Sequence, residues 1–240
     1  MTGTLYLVAT PIGNLGDITP RMREILSSVS LIGAEDTRRT GRLLAHLELH
    51  VPMTSYHDHN ERTKWPVLID RLETGEDVAV VSDAGTPGIA DPGWHVVREA
   101  IARDIDVVPI PGPSALISAL VVSGLPVHRF TFEGYLPRKS GRRLRVLEEL
   151  RGEERTMIFY ETPHRIAATL EVMSEVFGDR RASVSRELTK QHEETMRGTL
   201  PELVEVMKTR SRKGEFVIVL GGTDESNPDP KENEHTDTNE

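Results

Sequence analysis

Short apolar runs alternate with segments of helical periodicity along most of this sequence, and this alternation constrains the fold more than any other feature. Apolar runs at 5–9, 78–82 and 107–110 predict strands, and the periodic segments 20–28 and 92–103 predict helices. Strands that alternate with helices are typical of a mainly parallel sheet covered by helices on both faces. A second series of strands and helices follows between 157 and 220. The sequence therefore predicts an α/β protein of two lobes, each a sheet flanked by helices, with a ligand-binding cleft between them.

Composition along the chain suggests where these lobes end. We expect a first lobe at 1–136, a second lobe at 137–222 and a disordered acidic tail at 223–240. The tail carries most of the formal net charge of −9. The remaining chain is close to neutral, so the total charge does not exclude an anionic partner.

Several classes of protein are excluded by what the sequence lacks. It contains no cysteine, which rules out disulfides and thiolate metal sites. No apolar run reaches the roughly 18 residues of a membrane span, and the first residues do not resemble a secretion signal. We expect a cytoplasmic protein with neither a membrane nor a metal partner.

Three loops rich in glycine and proline follow predicted strands of the first lobe. Their sequences are TPIGNLGD from Thr10, SDAGTPGI from Ser82 and PGPSA from Pro111. Ligands collect beyond the carboxyl ends of strands in such sheets, where glycine lets a ligand approach the backbone and proline makes the loop rigid. One such loop alone is more often an ordinary turn. The fingerprints of Walker loops and dinucleotide sites are missing, which disfavours both.

Nine ordered sequence blocks between Leu5 and Leu220 resemble a known family. They are LYLVATPIGNLGDIT, AEDTR, YHDHNE, VSDAGTPGIADPG, PIPGPSA, FEGYLPR, FYETPHR, RELTKQHEE and GEFVIVL. Together they are similar to the small-subunit ribosomal RNA methyltransferases of the tetrapyrrole methylase superfamily. The resemblance implies a two-lobed homodimer that transfers a methyl group from S-adenosylmethionine to the ribose 2'-hydroxyl of cytidine 1402 in 16S rRNA, either free or in the 30S subunit.

The same resemblance implies where the cofactor binds. In the superfamily the cofactor lies between the lobes, held by the loops described above. The implied contacts are Pro11, Ile12, Ala84, Gly85, Thr86, Ile89, Ser114 and Ala115 in the first lobe, and Tyr160 or Glu161 with Gly198 in the second.

A 2'-hydroxyl needs a proton acceptor within hydrogen-bond reach before it can attack a methyl group. Glu35, His57 and Glu187 are the main candidates, and Asp36, Asp58, Lys190 and His192 lie beside them in the same motifs. Asp36 fits a helix cap equally well, and His57 fits a surface histidine equally well. The sequence alone does not choose among them.

A cluster of cations follows the predicted lobe boundary and predicts contact with RNA phosphates. The predicted RNA-binding residues are Arg138, Lys139, Arg142, Arg143, Arg145 and Arg165. A solvated helix face is the alternative. Tyr135 could stack on a base, although a core position is the more usual place for such a residue. Two other functions stay open: a corrin or porphyrin methylase of the same fold, and a non-catalytic RNA-binding protein.

Overall fold

The computed structural model describes residues 1–211 and 213–223 of the chain. These residues form parts of two compact units, Met1–Ala115 and Leu116–Glu240. The acidic tail expected at 223–240 lies, apart from Thr223, outside the described residues.

The sheet of the first unit contains five parallel strands. Their order is β3-β2-β4-β1-β5, and their bounds are Leu5–Val8 (β1), Leu31–Ala34 (β2), Met53–Ser55 (β3), Val78–Val81 (β4) and Val107–Ile110 (β5). All four residues of β4 are buried, because this strand is central and both faces of the sheet are covered. The predicted parallel sheet is confirmed.

Four helices cover this sheet, two on each face. They span Pro20–Ser28 (α1), Thr37–His46 (α2), Glu61–Glu73 (α3) and Trp94–Ile101 (α4). One apolar cluster joins α3 and α4 to the sheet, and a second joins α1 and α2 to its other face. The Asp36 side chain accepts a hydrogen bond of 2.8 Å from the Arg38 amide, so the helix-cap interpretation of Asp36 is confirmed. All five strands are parallel, so the loops that leave them lie along one edge, here called the carboxyl edge.

The second unit contains a mixed sheet of order β6-β7-β10-β8-β9. Its strands span Phe130–Tyr135 (β6), Thr156–Glu161 (β7), Arg181–Arg186 (β8), Glu194–Thr199 (β9) and Phe216–Leu220 (β10). Its helices span Ala115–Val121 (α5), Ser140–Glu149 (α6), Ile166–Phe177 (α7) and Leu200–Thr209 (α8). Strand β6 pairs in parallel with β7, and the remaining pairs are antiparallel. Side chains of α6, α7 and α8 pack with the sheet in one apolar cluster.

The structure differs from the expected organisation in where the first unit ends. We expected the boundary at 136/137, whereas the compact units divide at 115/116. The reason is that β6, assigned by sequence to the first lobe, pairs with β7 in the second sheet. The cationic segment expected to join the lobes is instead largely α6.

Among residues 1–211 and 213–223, no helix combines the length and apolar character that a membrane span requires.

Candidate functional site

Three loops meet at the carboxyl edge of the first unit, as the sequence predicts. Thr10, which follows β1, and Gly85, which follows β4, exchange two backbone hydrogen bonds of 2.9 and 3.0 Å. The Thr10 hydroxyl also donates to the Ser82 carbonyl at 3.1 Å. The loop after β5 joins them, because a Cβ on Gly112 would lie only 2.9 Å from the Cβ of Ala9. Only small residues allow the loops to approach this closely.

Gly85 has a structural reason of its own to be glycine. Its φ of +87° lies in the left-handed region, and its buried backbone faces Ile12 and Pro113. A Cβ at this position would lie 3.4 Å from Ile12 Cγ2 and 3.7 Å from the Pro113 carbonyl oxygen. These are ordinary van der Waals distances, so the left-handed backbone, rather than lack of space, accounts for glycine at this position.

The predicted cofactor residues of the first unit lie on these three loops, except Ala115, which begins α5 at the end of the third loop. Ile12 and Gly85 are buried, whereas Ala84 and Ile89 are exposed. The other four are half-buried: Pro11, Thr86, Ser114 and Ala115. This arrangement offers a ligand a surface of small and apolar groups with backbone amides and carbonyls beside it.

Carboxylates link the end of β2 to the end of β4. The Asp83 amide donates to Glu35 Oε2 at 3.1 Å, and the Asp36 amide donates to Asp83 Oδ1 at 2.9 Å. A guanidinium nitrogen of Arg39 lies 3.5 Å from Asp83 Oδ2. Burial raises the pKa of Glu35 and also that of Asp83. Glu35 is therefore a stronger proton acceptor than an ordinary exposed carboxylate.

Asp91, at the far end of the same loop, was missed by the sequence analysis. Burial raises its pKa to about 7, and the negative charge of Glu35 adds to the effect, while the Ser82 hydroxyl opposes it. Asp91 stands between Ala90, whose φ is +62°, and a buried proline. Its burial depends on how the loop folds back, which the local sequence does not specify.

His57 lies at the same edge, two residues after the end of β3. Its amide donates to Asn60 Oδ1 at 2.8 Å, and its ring meets that of His59 edge-on at 6.0 Å. Its Nδ1 is buried and has no hydrogen-bond partner among the described residues. Because β2 and β3 are paired neighbours, Glu35 and His57 follow adjacent strands. The structure thus brings two of the three main acceptor candidates to one edge.

Glu187, the third candidate, belongs to the second unit and is held by other groups. Its carboxylate accepts from Lys190 Nζ at 2.9 Å and from the Glu215 amide at 3.1 Å. Burial alone would raise its pKa, but these hydrogen bonds outweigh burial, and the pKa is lowered. A carboxylate held in this way is a weaker proton acceptor than Glu35.

The predicted cofactor residues of the second unit have clear packing roles. Glu161 is 2% exposed and accepts from the Thr162 amide and the Thr169 hydroxyl, both at 2.7 Å. Tyr160 is half-buried, and its ring meets Phe132 edge-on at 4.9 Å. A side chain on Gly198 would approach the Glu202 carboxylate to 2.7 Å. A cofactor contact of Tyr160, Glu161 or Gly198 stays a prediction.

Four of the six predicted RNA-binding cations are exposed and close together in sequence: Arg138, Lys139, Arg142 and Arg145. Arg143 is only 8% exposed and faces the core side of α6. Arg165 donates to the Leu136 carbonyl at 2.7 Å and lies 3.2 Å from Glu161 Oε2, so its guanidinium is already engaged. Tyr135, for which a core position was the favoured interpretation, is 54% exposed instead.

Solved structures with a similar fold are tetrapyrrole methylases. The methyltransferase CobJ superposes with a TM-score of 0.67 at 18% identity, covering 92% of this chain and 95% of its own. Uroporphyrin-III-C-methyltransferase from Thermus thermophilus gives a TM-score of 0.61, also at 18% identity, covering 91% and 94%. The model of the family Tetrapyrrole (Corrin/Porphyrin) Methylases matches residues 4–204. The family match, together with the fold, identifies the chain as a methylase of this type.

Curated relatives give a narrower assignment. A protein of Synechocystis sp. named Ribosomal RNA small subunit methyltransferase I is 51% identical over 94% of this chain and 82% of its own length. A protein of the same name from Xylella fastidiosa is 54% identical over 92% of this chain and 82% of its own. The chain belongs to the tetrapyrrole methylase family and, within it, to the group of ribosomal RNA small subunit methyltransferase I.

S-adenosylmethionine is the methyl donor of this family. The carboxyl edge suits such a ligand, because exposed Ala84 and Ile89 offer apolar contact and the assembled loops offer backbone groups. Among the described residues, no group of three or more His, Asp or Glu side chains is placed to hold a metal ion.

Proposed function

We propose that this chain uses S-adenosylmethionine to methylate the ribose 2'-hydroxyl of cytidine 1402 in 16S rRNA. The observation that carries the proposal is the identity of about half of all residues with the relatives named above, over more than nine-tenths of the chain. Those relatives are named for the small ribosomal subunit, whereas the 2'-hydroxyl and its position are what the family resemblance of the sequence motifs implies.

Bound at the carboxyl edge, the cofactor would supply an activated methyl group on a cationic sulfur. We assign its first-unit contacts to Pro11, Ile12, Ala84, Gly85, Thr86, Ile89, Ser114 and Ala115. The contribution of these loops is to align the methyl group of the cofactor with the attacking hydroxyl. Holding two reactants in attack geometry lowers a barrier by roughly 7 to 11 kcal/mol in favourable cases, and loops already assembled avoid the entropy loss of ordering.

The proton of the 2'-hydroxyl needs an acceptor, and we assign it to Glu35 or His57 ahead of Glu187. The raised pKa of Glu35 favours proton uptake, whereas the lowered pKa of Glu187 opposes it. His57 is supported by the buried, unpartnered Nδ1, which leaves a ring nitrogen without a competing protein contact among the described residues.

Glu35→Gln and Glu35→Ala distinguish catalysis from loop support. Glutamine can still accept the Asp83 amide through its carbonyl oxygen but cannot take a proton, whereas alanine loses both abilities. If Glu35 is the acceptor, Glu35→Gln keeps cofactor affinity and loses at least about a hundredfold in kcat. Glu187→Gln is the matched control and should lose far less. A Glu35→Gln enzyme with normal kcat would transfer the assignment to His57.

The substrate assignment is tested by incubating 30S particles, free 16S rRNA and uroporphyrinogen III with labelled donor and mapping the label. Label at the 2'-oxygen of one cytidine supports the proposal, and label on the tetrapyrrole alone supports the corrin or porphyrin alternative. A non-catalytic RNA-binding protein predicts no label and no thermal stabilisation by the donor. A bound donor at 100 times its Kd should stabilise by about 2.7 kcal/mol.

We assign RNA phosphate binding to the exposed cations of the segment 138–145. Among residues 1–211 and 213–223, no carboxylate forms an ion pair with Arg142, and its side chain is exposed. Arg142→Glu should weaken RNA binding and reduce the salt slope by about 0.7 for each phosphate that the protein no longer neutralises, with thermal stability unchanged. Arg143→Glu is the matched control, because Arg143 is buried and the change should lower stability instead. Unchanged RNA affinity in Arg142→Glu would refute the assignment.

We also propose that the active form is a homodimer. Ile117, Val121 and Val122 in and beside α5 are exposed apolar side chains, which a second copy could cover. Light scattering on the wild type and on Val121→Lys tests this: a monomeric wild type would contradict it.

A further inference from the structure

Trp94, the first residue of α4, is unusually exposed for a tryptophan. Its side chain is 61% accessible in the described structure, although it directly follows the loop that carries the proposed cofactor contacts. A large aromatic surface left in water gains free energy when a partner covers it. Trp94 has no part in the site as described so far.

The position of Trp94 is fixed against the cofactor loop. A Cβ on Gly93 would lie 3.1 Å from both the Cα and the amide nitrogen of Gly88, so the loop closes on itself at this point. Trp94 is therefore attached directly beside the turn that contains Ile89. A substrate that reaches the proposed cofactor loop would therefore come near this residue.

One face of the indole is occupied by a cation. The guanidinium carbon of Arg98 lies 4.8 Å from the ring centroid, and the His95 ring meets the indole edge-on at 4.7 Å. Despite these two contacts the residue remains 61% accessible, so much of the indole is open to a ligand. The Arg98 side chain is itself 54% exposed and can contact a phosphate from the same position.

The surroundings of Trp94 favour a nucleic acid over a protein partner. The neighbouring side chains are charged or ionisable: Arg98 pairs with Glu99 at 2.8 Å, and His95 lies 3.3 Å from Glu61. The centre of a protein–protein interface is depleted in charged residues, whereas single-stranded nucleic acid is bound by aromatic rings with cations beside them.

We propose that Trp94 is a stacking platform for a base of the RNA substrate, beside the nucleotide that is methylated. This inference rests on the proposed function, since it takes RNA as the substrate. Stacking of one base on an aromatic side chain contributes enough that Trp94→Ala should weaken binding of single-stranded RNA by about 5- to 150-fold. Trp94→Phe keeps a smaller ring and should lose less. Cofactor affinity should stay unchanged in both variants.

The chain supplies a matched control for a direct test. It contains two tryptophans, and Trp65 also has an arginine over its ring, Arg103 at 5.3 Å, but is half-buried in the core. Trp65→Phe leaves Trp94 as the only tryptophan, and Trp94→Phe leaves Trp65. A short single-stranded oligoribonucleotide from the decoding region should quench the fluorescence of Trp65→Phe and leave that of Trp94→Phe almost unchanged.

An abasic oligomer of the same length separates stacking from charge. If the abasic oligomer quenches the fluorescence of Trp65→Phe as strongly as the intact oligomer does, the proposal is overturned in favour of phosphate contact alone. If the wild type methylates 30S particles but Trp94→Ala binds RNA with unchanged affinity, the stacking proposal is overturned and the proposed function stands. A wild type that methylates no rRNA would refute the proposed function and this inference with it. Sedimentation completes the test, because a change of oligomeric state in Trp94→Ala would assign the surface to a second copy instead.

Discussion

Replacing Gly85 and Gly88 by alanine, one at a time, tests whether the turn after β4 holds the cofactor. Both glycines have nearly the same left-handed backbone, with φ of +87° and +84°. A non-glycine residue in this region costs about 1–2 kcal/mol, so we expect both variants to lose a similar free energy of unfolding. For a chain of this size, that loss corresponds to a Tm about 2 to 8 °C lower.

The two positions differ in what the added methyl group meets. At Gly85 it lies against Ile12 and the Pro113 carbonyl, at 3.4 and 3.7 Å, whereas at Gly88 it meets no atom within 4 Å. These neighbours join the turn to the loops after β1 and β5. The methyl group itself makes ordinary van der Waals contact at these distances, so what reaches the other two loops is the backbone adjustment that relieves the left-handed strain at Gly85. We expect Gly85→Ala to weaken cofactor binding about tenfold, which is about 1.4 kcal/mol.

The assay combines thermal unfolding, monitored by circular dichroism, with calorimetric titration of S-adenosylmethionine. Gly88→Ala is the control for backbone strain. Normal cofactor affinity in a folded Gly85→Ala protein would refute the argument that the contact of these loops shapes the cofactor site. An equal loss of affinity in both variants would refute the distinction drawn between the two glycines.

Two further predictions concern buried carboxylates. The native state holds the proton of Asp91 more tightly than the unfolded chain, so the contribution of Asp91 to the free energy of unfolding falls as pH rises from 3.8 through about 7. Asp91→Asn should make the free energy of unfolding depend less on pH and should raise Tm above pH 7. An unchanged pH profile of stability would contradict the burial of Asp91. Glu161→Gln removes a buried charge that faces Arg165, and it should lower the free energy of unfolding in denaturant by about 3 kcal/mol. A loss below about 1 kcal/mol would show that the Glu161–Arg165 pair is solvated.

Local patterns were sufficient for much of the fold. Strand β4 is a four-residue apolar run that ends in a glycine-rich turn, and its position follows from those residues alone. Strand β3 was missed because it has three residues, two of them hydroxylic, and pairs with only one neighbour. Helix α8 was missed although Thr199 and Glu202 form a capping box at its start, a signal that the sequence does contain.

Long-range pairing was the part that local patterns could not supply. The partner of β6 decides the boundary between the units, and nothing within 130–135 specifies that it pairs with β7. The same limit explains Arg143, which belongs by charge to the exposed cations around it but lies inward on α6 beside Leu147. Charge predicts what a side chain can bind, whereas the helix face decides whether it can reach a ligand.

The candidate site shows why its acidic residues were hard to interpret from sequence. Glu35 and Asp83 are 48 positions apart, yet the amide of one binds the carboxylate of the other. This contact connects the end of β2 to the cofactor loop, so Glu35 supports the loop and is also the carboxylate of the first unit that we propose as proton acceptor. The two roles require the same burial, which excludes water from the loop contact and raises the pKa of Glu35. The structural role of Glu35 is therefore compatible with the proposed catalytic role, and only a substitution that keeps the hydrogen bond while removing the base can separate the two.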